Sequence, residues 1–127
     1  MKSMKGFTLV ELVIVIVIVG ILSVVAVPVY KGYTKKAMAT EGKALLGAVN
    51  TSQKVYFAEF SNFAQSDEAG ALDVDAATNK YFTSFALTGT ATTFTVTTSG
   101  TSGAAGIGLT LAGSSTGPSA ITESGLK

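Results

Sequence analysis

Residues 5 to 29 read KGFTLVELVIVIVIVGILSVVAVPV, and this stretch decides how the rest of the 127-residue chain is understood. From Phe7 to Val29 the only ionisable side chain is Glu11, and the 16 residues from Leu12 to Val27 are apolar except for Gly20 and Ser23. At about 1.5 Å rise per residue, a helix over these 23 residues crosses a hydrocarbon core of ~30 Å. Many of the residues are β-branched, which in water would favour strands. In lipid, however, a lone segment satisfies its own backbone polar groups only as a helix.

Three readings fit the block. Lys2 and Lys5 supply the basic start of a secretory signal, with Val24-Val25-Ala26 as a small-residue cleavage site. A plain single-span anchor fits the length equally well. Neither reading asks for a carboxylate near the start of the apolar run. Such a charge is expensive in mid-bilayer and less so near the headgroups, where Glu11 could snorkel near Lys5. The third reading gives Glu11 a cationic partner. Cleavage between Gly6 and Phe7 would leave a free α-amine of pKa about 7.7–8.0 close to the carboxylate. A helix N-terminus offers that amine no intrahelical carbonyl. A neighbouring subunit's Glu11 could take it, each charge compensating the other in an apolar surrounding.

The string Lys5-Gly6-Phe7-Thr8-Leu9-Val10-Glu11-Leu12, followed by an uninterrupted apolar helix, resembles the prepilin signal of type IV pilins and type II secretion pseudopilins. The resemblance covers about the first 60 residues. It implies removal of a leader, residues 1–6, by a membrane prepilin peptidase that cleaves between Gly6 and Phe7 and N-methylates Phe7. It further implies that Glu11 recruits and registers subunits through the Phe7 amine. The expected product is a homo-oligomeric helical filament, raised by an assembly platform from subunits stored in the bacterial inner membrane. A major pilin of an extracellular type IV pilus is the first expectation. A major pseudopilin of a short periplasmic filament is the second, and a minor or competence pilin binding DNA or a receptor the third.

Gly20 and Pro28 are candidate points of helix flexibility. Proline removes one helical hydrogen bond and crowds the carbonyl four residues earlier, here that of Val24. Glycine weakens a helix interior by about 1 kcal/mol relative to alanine. In the resembled family the segment between such positions can loosen in the filament. The plainer reading is that Pro28 marks the membrane edge.

Beyond the block, Met38, Leu45, Val49, Tyr56, Phe60 and Phe63 recur at helical spacing, with Lys36, Lys43, Asn50 and Lys54 on a different side. One helix is therefore expected from about Phe7 to about Ser61. Strands are expected over Tyr81–Leu87, Thr92–Thr98 and Ile107–Ala112, with a last short one including Ala120–Thr122. The predicted fold is α+β: a long N-terminal helix, transmembrane in residues 7–29 and amphipathic in residues 30–63, packed against a small antiparallel sheet head formed by residues 64–127.

Composition excludes several classes of function. There is no Cys and no His among the 127 residues, which removes disulfides, thiol nucleophiles and the commonest zinc ligands and general base. No convergent acid pair or phosphate loop is present either, so no enzyme and no cofactor are expected. Arg is absent, and a chain starting at Phe7 carries 7 Lys against 8 acids. Beyond Phe63 the only basic residues are Lys80 and Lys127, so no nucleic-acid partner is expected. Asp67, Glu68, Asp73 and Asp75 lie within nine residues, but without an EF-hand pattern they read as a solvated loop, and no metal site is expected.

Overall fold

The computed structural model describes residues 5–126; Lys127 and the first four residues of the expected leader lie outside it. Its first element, α1, runs from Leu9 to Phe60 as one helix of 52 residues, through both Gly20 and Pro28. By contacts the chain forms two compact units, residues 1–33 and residues 34–127.

In the first unit the α1 side chains stand in solvent, from Leu9 at 77% exposed to Val29 at 52%. This is the one segment among the described residues long and apolar enough to cross a membrane. The helix here has no internal core to stabilise it. Its backbone ladder is self-contained, and its side chains lack only an apolar surrounding.

The second unit is organised differently. Ala39, Gly42, Leu45, Leu46, Val49 and Gln53 of α1 are buried, at steps of three, three, one, three and four that trace one helical face. Against that face packs a four-stranded antiparallel meander in the order β1-β2-β3-β4: β1 Ala86–Gly89, β2 Thr93–Ser99, β3 Gly108–Ser114 and β4 Ala120–Ser124. Strand alternation turns Phe94, Val96 and Thr98 of β2 inward, and Leu109, Leu111 and Gly113 of β3 beside them. Leu87, Val96, Leu111 and Ile121 lie in register across all four strands. The first three are buried, whereas Ile121 on the edge strand stays 40% exposed.

Two glycines are set by close approach. A Cβ on Gly42 would meet the Leu109 and Phe82 side chains, and one on Gly113 would meet the Phe94 ring. Glycine in mid-helix weakens the helix, and at Gly42 that loss allows two buried side chains to seat against the backbone.

The helix ends where Ser61 takes a left-handed conformation, φ 59°. A 3-10 helix, Ser66–Leu72, follows, with its start held by a capping box between Gln65 and Glu68. The expected α+β architecture is the one observed, with one correction at the first strand. Tyr81 to Phe85 do not pair in the sheet, which begins at Ala86. The amides of Tyr81 and Phe82 donate instead to the Glu41 carboxylate, at 2.6 and 3.0 Å. A side-chain acceptor thus replaces the strand ladder there. Lys43 and Asn50 of α1 lie off the packing face, as expected, and still find partners in the head. Lys43 makes an ion pair with Glu123 of β4, and Asn50 accepts a 2.8 Å bond from the Ser119 hydroxyl. Both are long or polar enough to reach from the flank of the buried face.

Candidate functional site

The N-terminal site is built by the chain's entry into α1. Residues 5–8 are non-helical, and the Gly6-Phe7 peptide sits in this open stretch, with Phe7 86% exposed. Proteolysis requires an extended, accessible peptide, and a helix would deny both. Gly6 has nothing within 4 Å of where a Cβ would be, so its surroundings are open.

Thr8 starts the helix. Its hydroxyl accepts from the Glu11 amide at 3.2 Å, while Glu11 Oε2 accepts from both the Thr8 amide and the Thr8 hydroxyl at 2.8 Å. This is a reciprocal capping box: two backbone donors that the first helical turn cannot satisfy are taken by side chains. The sequence carries the signal for it as Thr8-x-x-Glu11 just before an apolar run. The box gives Glu11 a local structural task in addition to any task between subunits. An ionised carboxylate has about four lone-pair sites, so two bonds from Thr8 leave acceptor capacity for an ammonium.

The other two singled-out residues lie within α1, apart from this cap. Gly20 and Pro28 bracket Ser23, whose hydroxyl donates to the Val19 carbonyl at 2.7 Å. Back-bonding of this kind offers a carbonyl an alternative partner and tends to bend helices. Three features that loosen a helix therefore fall within nine residues.

The comparisons with known proteins point to the same segment. Residues 1–27 match the family model of the prokaryotic N-terminal methylation motif. The chain is 40% identical over 81 residues to a fimbrial protein of Moraxella nonliquefaciens, covering 64% of this chain and 53% of that protein. It is 41% identical over 66 residues to the type IV major pilin protein PilE1 of Neisseria gonorrhoeae, covering 52% of this chain and 31% of that one. The type IV major pilin protein PilA of Myxococcus xanthus is 41% identical over 63 residues, 47% of this chain and 29% of the relative. Over these stretches the chain is similar to fimbrial proteins and type IV major pilins. The matched region of this pilin-like chain spans about half the length of the Moraxella relative and under a third to about a third of the others.

Two residues that hold the pilin-like head together were not legible in the sequence. Gln53 is fully buried, its amide nitrogen donating to the Ala64 carbonyl at 3.0 Å and its oxygen accepting from the Ala64 amide at 2.9 Å. It closes the turn that leaves the helix. Glu41 pins the Tyr81-Phe82 segment, and its carboxyl is held below the ordinary range chiefly by the Tyr81 amide bond, against a smaller opposing effect of burial. Neither has a pattern of its own, since a lone Gln or Glu on a helix is ordinarily solvated.

Proposed function

We infer that this chain is the structural subunit, a major pilin, of a type IV pilus. The observation that carries the reading is the exposed apolar surface from Leu9 to Val29 with one carboxylate, Glu11, at its head. Such a surface is stable in lipid, and it is stable among copies of itself. Exchange of one surrounding for the other moves the subunit from membrane to filament with little change in buried apolar area. On this reading residues 1–6 are a leader. Its removal turns the Phe7 amide into an α-amine, which pairs with Glu11 of the next subunit and fixes the stagger. N-methylation of Phe7 keeps the charge of that amine. The Gly20–Pro28 segment is where the helix would loosen on assembly. The partners are further copies of the chain, a prepilin peptidase with methylase activity, and an assembly platform in the inner membrane.

Intact mass spectrometry of filaments sheared from cells tests this. The expected species begins at Phe7 with one added methyl. A mature chain beginning at Val27 overturns the reading. A chain processed at Phe7 but absent from the sheared fraction transfers it to a periplasmic pseudopilus.

A further inference from the structure

The head carries a feature that the N-terminal site does not use. A cleft of about 730 Å³ opens between the last turns of α1 and the 3-10 helix Ser66–Leu72. Its floor is apolar: Val55, Tyr56, Phe60 and Leu72 line it, with the Tyr56 and Phe60 rings 4.5 Å apart. Beyond Tyr33 only three large apolar side chains among the described residues are strongly exposed, Val55, Phe60 and Ile121, and two of them lie here. Its rim is acidic. Glu59, Asp67, Glu68 and Asp73 line the cleft, half of the chain's eight carboxylates, and no lysine does. The Tyr56 hydroxyl registers this surrounding, its pKa raised first by burial and then by its bond to Glu68 and by the charges of Glu68 and Asp67.

An apolar floor with an anionic rim fits an amphipathic cationic segment, and the chain contains one. Tyr30-Lys31-Gly32-Tyr33-Thr34-Lys35-Lys36 holds three of the nine lysines and no acid. At 3.6 residues per turn Tyr30 and Tyr33 share one helical face of α1, with Lys36 on one flank of it and Lys31 towards the other. Tyr30 and Tyr33 are 73% and 68% exposed.

We propose that the cleft is the docking site for the Tyr30–Lys36 segment of a second copy of this chain, the tyrosines on the apolar floor and Lys31 and Lys36 against the rim on either side. This rests on the filament reading and adds a contact to it outside the N-terminal apolar segment. Two arguments favour this occupant. Pairing the cleft with a second cleft would set four carboxylates against four, a repulsive arrangement. Pairing two different surfaces is heterologous, and a heterologous contact that does not close generates an open helical polymer.

The chain has no cysteine, so introduced thiols are unique. Gly32 in the segment and Gly70 on the cleft both have open space where a Cβ would stand. Filaments of the double variant Gly32→Cys/Gly70→Cys, treated with a short bismaleimide, are expected to give a ladder of covalent dimers and larger multimers, while each single variant stays monomeric. Intact filaments without cross-linked species overturn the proposal, as does a dimer from Gly70→Cys alone. Charge exchange provides an independent arm. Glu59→Lys with Asp67→Lys is expected to lower sheared-filament yield at least about tenfold, and adding Lys31→Glu with Lys36→Glu to restore it. Wild-type yield from the charge-reversed cleft, or no rescue by the exchange, overturns the proposal while the filament reading stands. An unaltered chain that forms no filament of any kind overturns that reading and this one together.

Discussion

The two units of the chain use apolar residues in opposite ways. In the head Phe82, Leu46, Ile107, Leu109 and Leu111 are almost completely withdrawn from solvent within one subunit. In the first unit Ile14, Ile16, Ile18 and Ile21 are 52–66% exposed, although they are at least as hydrophobic. A head core is complete when the chain folds. The N-terminal surface finds no cover within its own subunit, and on the proposed reading lipid or other chains supply it. The same contrast applies to charge: Glu41 is answered inside its own subunit by the Tyr81 and Phe82 amides forty residues on, whereas Glu11 is bonded among the described residues to its own cap, Thr8.

If that contrast is right, substitutions sort by which unit they touch. Glu11→Ala should have the largest effect, abolishing sheared filaments while membrane fractionation shows normal insertion. Normal filaments from this variant would break the comparison, because Glu11 would then be no more than a cap. Thr8→Ala separates the two tasks: it removes the capping hydroxyl, keeps the carboxylate, and should reduce filament yield far less.

Next in size is Phe82→Ala, which empties a fully buried site and should destabilise the head by about 3–5 kcal/mol in urea unfolding of the detergent-solubilised chain. Val17→Ala, at a position 53% exposed, should leave the same transition unmoved. Gln53→Ala comes third, at about 2–4 kcal/mol, because it strands the buried amide and carbonyl of Ala64 without partners.

The pH dependence is smaller and has a definite sign. The Glu41 carboxyl is held below its ordinary range in the folded head, mainly by the Tyr81 amide, so the unfolded chain binds the proton more readily. Its contribution is present above the ordinary carboxylate pKa of about 4.3 and is lost as pH falls through and below that value. Glu41→Gln should therefore lower head stability at neutral pH and flatten the acid limb of the unfolding curve. The smallest effect belongs to the Lys43–Glu123 ion pair, whose side chains are 43% and 31% exposed. Lys43→Ala should cost about 0–1 kcal/mol, and added salt should erase the difference.

The N-terminal half was largely legible in the sequence because its physics is local. Hydrophobic run length sets the helix, and one carboxylate four residues after Phe7 marks the candidate site. The two central strands were legible too, since Thr93–Ser99 and Gly108–Ser114 alternate and are bounded by Gly and Ser, whereas the first begins only at Ala86. What escaped were pairings across long sequence separations: Glu41 with the amides forty residues on, Asn50 with Ser119, Lys43 with Glu123. Periodicity places a residue on a face, but it does not say which backbone group will arrive there.

By itself, the sequence determined that the apolar run from Phe7 to Val29 forms a lipid-compatible helix with one carboxylate near its head, because a run of apolar residues and a lone charge act through solvation alone. Only the tertiary structure decided where the polar groups of the head find partners, that Glu11 belongs to a capping box with Thr8, and that half of the acids gather on one apolar cleft. Those outcomes depend on side chains from distant segments meeting in space, and a linear pattern holds no term for that.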